Sequence, residues 1–595
     1  MSANHLRSQV EFQRLLTRRQ ALRRSLLLGA TAVAGSTLMT ACWPFGDDDE
    51  DEVEATPTPF VDPDPDPTPE PTPEPTPTPE ATPTPEPTPT PVGPPDEPEP
   101  GGRLTIALPA DPLSLHPRAD ELITNWVVMS QIHDALLEVD HQFEPVPVLA
   151  ESYEIAEDGS SYTFSLRDGV LFHNGNELTV DDVVYTHQWM SQPENGGARS
   201  FYYERIQSIE ATDDSTVVFN MSSPDGTVPR RAASTFIVNA EYHEENGWEG
   251  HSLDPIGTGP YLLDSWQRDD SISLVKFDDY FHDEPLLDSI EFLVITDEPN
   301  RRSALEEGTV DAVWGLNLSD NLELEEDDTI QTVQVRNLDC THIALNNEHP
   351  VLSDRNVRLA MQLAIDRSEL VDIIYQGAAT EATSYLSPAL FYWHQGQIES
   401  DRPLVDRAIE LLEEAGWAEG DNGIRERNGE ALSFVCTAPD GGDLRADGAE
   451  AIAEMLLEIG VEMEIETAPV SQNVEQMRAG ELDAAIFNWT YGGWLGEPDG
   501  RTTLQTGAFN NFSQFSSIQV DNVLFQGVSE PDPDARRAVY RNLQERIFDQ
   551  SPFLFLVFPY GYYHFSERYQ GLPDSVRWGP RVMRKLSTAW VFEPA

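Results

Sequence analysis

Residues 47–100 constrain this chain more than any other stretch, because they cannot fold. They hold 17 acidic residues and no lysine or arginine, and 20 of the chain's 46 prolines fall within 51–100. Proline lacks an amide hydrogen and fixes φ, so neither a helix nor a sheet ladder can run through repeated Thr-Pro and Glu-Pro pairs. Apolar groups are too few to offset the entropy of ordering the segment. The composition predicts a stiff, disordered tether biased to polyproline II. Its 54 residues reach at most about 170 Å at ~3.1 Å each. Thr-Pro tracts of this kind are also open to O-glycosylation. The tether separates a short N-terminal segment from a long body.

The N-terminal segment reads as an export signal. Arg7, Arg14, Arg18, Arg19, Arg23 and Arg24 precede an uncharged run of 17 residues, Ser25 to Ala41. That length is marginal for spanning a bilayer and suits a signal-peptide core. Leu38-Met39-Thr40-Ala41 before Cys42 resembles a lipobox, with Met39 where leucine is usual. Cys42 is therefore the expected lipid attachment site, stable when two or three acyl chains are present. The arginine pairs resemble a twin-arginine signal, which leaves the export route open. A single transmembrane anchor is the alternative reading. The expected division is a signal peptide over 1–41, a lipid-anchored Pro/Thr/Glu-rich linker over 42–101, and a body held outside the cytoplasm.

Beyond the tether the chain carries 86 acidic and 31 basic residues, and Lys276 and Lys585 are its only lysines. Such a surface repels phosphate and argues against a nucleic-acid partner. Cys340 and Cys436 remain beside Cys42. In an oxidising compartment they are either a disulfide or two buried thiols. No cysteine–histidine spacing suggests zinc, and no nucleophile elbow is present. Paired carboxylates of a glycan hydrolase stay open in so acidic a chain.

The body alternates strand and helix patterns. Asp158-Gly159 is a turn feeding the period-two run Tyr162, Phe164, Leu166. Phe172-His173-Asn174-Gly175 reads as a second tight turn. Thr179 and Asp182 resemble a capping box that starts a helix through Trp189. Gly257-Thr258-Gly259-Pro260 predicts a rigid loop before a strand from Tyr261 to Trp266. Helices over 404–415 and 449–459 stop at Gly416 and Gly460. Val461, Met463 and Ile465 alternate with glutamates, as in a half-solvated strand. The segment from Ala304 to Ala312 echoes that from Gln476 to Ala484: helix, glycine stop, buried strand. Aromatics follow each strand, Trp314 in the first and Phe487, Trp489, Tyr491 and Trp494 in the second. Ligands of open α/β sheets bind beyond the carboxyl ends of strands. Two such units facing each other would present these rings across a cleft. The alternative is that Trp314 and Trp489 are ordinary core residues.

One ordered set of segments resembles the family-5 extracellular solute-binding proteins of ABC importers, the peptide/nickel type. It runs from Gly101-Gly102-Arg103-Leu104-Thr105-Ile106-Ala107 and Asp111-Pro112-Leu113-Ser114-Leu115-His116-Pro117 through Leu149-Ala150-Glu151-Ser152-Tyr153 and Thr179-Val180-Asp181-Asp182-Val183. It continues through Pro255-Ile256-Gly257-Thr258-Gly259-Pro260-Tyr261 to Val357-Arg358-Leu359-Ala360 and Ala364-Ile365-Asp366-Arg367. The resemblance implies an α/β, two-lobed fold of the type II periplasmic-binding-protein kind. Lobe I would span 102–345 with an extra subdomain at about 146–254, lobe II 346–550, and 551–595 would return to lobe I. It implies capture of a solute, most often a peptide, by hinge closure and delivery to ABC permease subunits, by a monomer with no cofactor and no catalysis. His116 stands where the family usually has aspartate. Its peptide binders anchor the ligand's amino group with an aspartate after the tryptophan strand; none lies between Trp489 and Glu497, and Asp499 is an imperfect substitute. The expected ligand-lining residues are Trp314, Trp489, Tyr491, Trp494, Asp499 and His116, with no metal. The alternatives are an oligosaccharide or flat apolar ligand on Tyr491 and Trp494, a metal chelate involving His116, His342 and His394, a tethered glycan hydrolase, or a sensor module.

Overall fold

The computed structural model describes residues 100–591, except 119–122, 141, 391, 399–402, 492–495, 572–585 and 587–588. The signal, Cys42, the tether and Trp494 lie outside the described residues.

One strand belongs to two sheets. Phe553–Ser566 is an apolar, aromatic run of 14 residues. Its first half pairs antiparallel with Asp339–Leu345 and Ala379–Glu381. From Tyr560 onward it pairs instead with Ile330–Arg336 and Ala312–Trp314. The second connection between the lobes is the short link between the strands Ile330–Arg336 and Asp339–Leu345.

The first-lobe sheet runs in the order Tyr261–Gln267, Ser271–Lys276, Ser289–Val294, Arg103–Leu108, Ala312–Trp314 and then the shared strand. Arg103–Leu108 is parallel to both Ser289–Val294 and Ala312–Trp314. The second-lobe sheet runs Glu462–Ala468, Ser433–Pro439, Ala484–Thr490, Asp339–Leu345 and then the shared strand. Its first three strands are parallel. A separate antiparallel sheet of four strands lies within 150–221, and its Tyr162, Phe164, Val217 and Phe219 merge into the first lobe's core. Among the described residues no helix is long and apolar enough to cross a membrane.

Local patterns build these elements as spacing predicts. Tyr162, Phe164 and Leu166 all point inward from Ser161–Leu166. The Asp182 carboxylate accepts from the Thr179 amide at 2.9 Å and its hydroxyl at 2.7 Å, opening the helix Val180–Ser191. The echoed helices Glu298–Glu306 and Val470–Ala479 stop at Gly308 and Gly480, at φ 71° and 72°, where a side chain would be strained. The helix expected over 449–459 starts earlier, as Leu444–Glu458, because Asp443 caps it. Gly257 is required by contact: a Cβ there would lie 2.0 Å from the Ile132 carbonyl.

Cys340 and Cys436 are buried free thiols, so the disulfide alternative falls. Their strands are separated by Ala484–Thr490. Two strand spacings of ~4.8 Å exceed the ~4.4–6.8 Å between Cα atoms that a disulfide spans.

Five histidines gather where the first lobe meets its extra sheet and helices, and all but His173 are buried. The Arg118 amide donates to His116 Nδ1 at 3.1 Å, so His116 Nε2–H donates to His243 Nε2 at 2.9 Å. His243 Nδ1–H then donates to the Tyr185 hydroxyl at 2.8 Å. His133 stacks on His251, and His173 Nε2–H donates to the Gly259 carbonyl at 3.0 Å. The chain holds these rings neutral. Burial pushes His173 and His243 down to about 4; burial and then the neighbouring His243 push His251 to about 3.

These shifts predict acid lability. In the unfolded chain each imidazole takes a proton near pH 6.5, whereas the folded rings stay neutral. The unfolded state then binds more protons, so their contribution is present above pH 6.5 and lost as pH falls toward 4. Denaturant titrations at pH 7 and pH 5 should show a loss of up to about 1.4 kcal/mol per pH unit for each of the three rings. His251→Phe should flatten that slope. An unchanged midpoint between pH 7 and pH 5 would refute the neutral cluster.

Candidate ligand-binding cleft

The register of the shared strand brings both carboxyl edges to one place. In the first lobe the parallel strands end at Leu108, Val294 and Trp314. Trp314 lies opposite Tyr563. In the second lobe the parallel strands end at Pro439, Ala468 and Thr490. Thr490 lies opposite Asp339, which opens the strand that pairs with Val557 two residues later. Both edges therefore converge on Pro559 and Tyr560, in the middle of the shared strand. Crevices outside carboxyl ends are where open α/β sheets take ligands. Here two such edges meet across a hinge of two strands.

The aromatic residues at these edges are mostly supported from behind. Trp314 is 6% exposed and stacks against Tyr563, with centroids 6.4 Å apart. Tyr491 is also 6% exposed. It stacks on Phe553 at 4.9 Å and 6°, and its hydroxyl donates to His342 Nε2 at 3.3 Å. His342 donates in turn from Nδ1 to the Cys340 carbonyl at 3.1 Å. Trp489 is partly exposed and meets Phe512 edge-on at 5.2 Å. The small space beside Tyr491, between His342, Phe512, Phe515 and Phe553, lies wholly within the second lobe.

The remaining residues singled out in the sequence have other company. Asp499 is bound to Arg501, whose Nε lies 2.9 and 3.0 Å from its two oxygens and whose Nη2 lies at 2.7 Å. Burial opposes its charge, but these bonds hold its carboxyl below the usual range. As an anchor for a ligand's amino group, Asp499 is already occupied. His116 is 1% exposed within the histidine cluster, walled by Trp189, His243 and His251. His394 donates to the Leu386 carbonyl at 2.7 Å. Among the described residues no group of three or more His, Cys, Asp or Glu is placed to hold a metal ion.

A charged seam that the motifs did not single out joins the lobes beside these edges. Arg536 and Arg230 approach the Trp393 ring at 5.6 and 5.3 Å. Glu497 accepts from Arg536 Nη1 at 3.1 Å and from its Nη2, and lies 3.9 Å from Arg230. Arg536 also donates to the Gly226 carbonyl at 3.0 Å, and the Gly226 amide to the Val528 carbonyl at 2.8 Å. Arg230 donates to the Phe143 carbonyl at 2.7 Å, and Gly496 packs against the Phe143 ring so closely that a Cβ would overlap it. Arg205 reaches Ser529 at 2.9 Å. The hydrogen-bonded partners lie from 39 to 324 positions apart, so no spacing rule could pair them.

The profile of the bacterial extracellular solute-binding proteins, family 5 Middle, matches residues 144–511. Protein XP55 of Streptomyces lividans is 31% identical over 452 residues, covering 74% of this chain and 81% of that protein. Heme-binding protein A of Haemophilus influenzae is 28% identical over 480 residues, 75% of this chain and 85% of its own length. The oligopeptide-binding protein AppA of Bacillus subtilis is 26% identical over 491 residues, 80% of this chain and 89% of its own. The structure of AppA in complex with a nonapeptide superposes with a TM-score of 0.68 at 24% identity, covering 84% of this chain and all of that one.

The seam makes its own prediction. Glu497→Ala would leave two buried guanidinium groups without their shared carboxylate. Breaking a buried ionic cluster from one side costs about 3–5 kcal/mol, and denaturant unfolding should record that loss. A change below about 1 kcal/mol would mean that Glu497 is not what holds the two arginines.

Proposed function

The chain belongs to the bacterial extracellular solute-binding proteins of family 5, and from that premise we propose that it captures a peptide outside the cell and hands it to the permease of an ABC importer. The observation that carries the reading is the convergence of two carboxyl edges on one shared strand. A solute between the lobes touches both edges only when they close, so binding shifts the population toward the closed form. A permease that reads the closed form then receives only loaded protein. No bond is made or broken in this cycle, so the protein is a receptor and not an enzyme.

Among solutes, a peptide is favoured by AppA, a relative named for oligopeptides that aligns over 80% of this chain. Heme-binding protein A aligns over a similar share, so the ligand class is the part that most needs testing. The sequence before the body supports a lipid anchor at Cys42 and a tether of 54 residues. That arrangement would hold the receptor at the membrane while letting it search the space above.

The full-length chain should be screened by thermal shift against peptides, oligosaccharides and metal chelates. A peptide at a hundred times its Kd adds about 2.7 kcal/mol, which for a body of this size is roughly 2–3 °C. A shift with peptides, which mass spectrometry then recovers intact, is the expected result. A shift with oligosaccharides or chelates alone would replace the solute, and cleavage of any of them would overturn the receptor reading.

A further inference from the structure

Phe143 belongs to one lobe by its backbone and to the other by its packing. It lies between the strands Leu137–Val139 and Pro145–Pro147, which pair antiparallel. Leu137 and Val139 are part of the first lobe's core. The Phe143 ring is not. It is 2% exposed and sits in an apolar cluster whose other buried members all fall between Leu338 and Phe558, Tyr385, Trp393 and Tyr491 among them. A side chain rooted in the first lobe thus fills a socket in the second.

The backbone at this point is strained. Phe143 has φ 64°, a left-handed conformation that a bulky residue adopts only where its surroundings impose it. The first lobe imposes it. The Asp140 carbonyl accepts from the Phe143 amide at 3.0 Å, and its carboxylate accepts from the Gln142 and Glu144 amides at 2.7 and 2.9 Å. Arg230 donates to the Phe143 carbonyl at 2.7 Å. The second lobe shapes the socket in turn. A Cβ on Gly496, at φ 70°, would lie 2.6 Å from Phe143 Cδ1. Beside the ring the backbone itself bridges the lobes: the Gly226 amide donates to the Val528 carbonyl at 2.8 Å. A Cβ on Gly226 would lie 2.1 Å from the Glu530 carbonyl oxygen. All these contacts lie outside the two connections between the lobes.

We infer that Phe143 and the Gly226–Val528 bond form a latch, seated when the lobes close and withdrawn when they open. Burial of the ring favours closing whether or not a solute is present. The left-handed backbone works against it, because withdrawal lets that torsion relax. The empty protein therefore closes part of the time and reopens, and solute remains the contact that decides which form prevails. A solute that prefers the closed form then has less of the closure left to drive. The latch goes beyond the receptor reading: it is a closing device that no solute supplies.

The test needs no solute. The full-length chain with Cys42→Ser takes spin labels at Ala110→Cys and Asp440→Cys. Both positions are exposed, just beyond the carboxyl ends of Arg103–Leu108 and Ser433–Pro439, one on each lobe. Cys340 and Cys436 are buried and stay unlabelled. Pulsed electron double resonance should give a short and a long distance for the otherwise native chain, the short one from the closed form. Phe143→Ala should lower the ratio of short to long by about fivefold or more. Gly226→Ala removes no core atom and pushes Glu530 away, and it should do the same. A distribution that either folded variant leaves unchanged would overturn the latch, as would one distance shared by all three proteins. Should Phe143→Ala fail to fold, Gly226→Ala alone decides: a lowered ratio supports the latch and an unchanged one rejects it. None of these readings depends on which solute the cleft takes, so the peptide reading and the latch fail separately.

Discussion

Everything in this molecule depends on the hydrogen bonding of one strand. Phe553–Ser566 gives its first half to one sheet and its second half to another. A strand paired along its whole length can bend at the point where its partners change, without breaking a ladder on either side. That point, Pro559 to Tyr560, is also where the carboxyl edges of both lobes meet. Hinge and binding cleft are thus consequences of the same register. A shift of one residue would turn every side chain of the strand to the opposite face and exchange the cores they fill. Phe553 and Phe555 pack into one core of the second lobe, Leu554, Leu556 and Val557 into another, and Tyr563 and Phe565 into that of the first lobe, which holds the register in place.

Charge follows the opposite logic inside and outside. The whole chain carries a formal charge of −67, and its exposed carboxylates are solvated by water. Between the lobes each guanidinium and carboxylate of the seam has a partner, because a buried charge without one is costly. Glu497 between Arg536 and Arg230 ties a loop after the tryptophan strand to both lobes.

Much of the fold was legible in the residues. The Thr179–Asp182 cap, the inward Tyr162, Phe164 and Leu166, and the glycine stops at Gly308 and Gly480 all follow from spacing of a few positions. The echo of helix, glycine and strand marked the two units whose edges form the cleft, and it put Trp314 and Trp489 at strand ends where they stand. The site was legible only in part. Asp499 lies in the right loop but is held by Arg501. His116 lies in a familiar segment but turns into a cluster of neutral histidines.

The sequence by itself determined where helices and strands of the body begin and stop, and which family of two-lobed α/β receptors it resembles. Those properties depend on composition and on periodicities of two or three to four residues, which the chain carries locally. Only the tertiary structure decided which carboxylates are already satisfied, which histidines are buried together, and where the lobes join. Arg536 meets Gly226, and Gly226 meets Val528, across more than three hundred positions. Electrostatic and packing energies depend on distance in space, and no pattern along the chain records it.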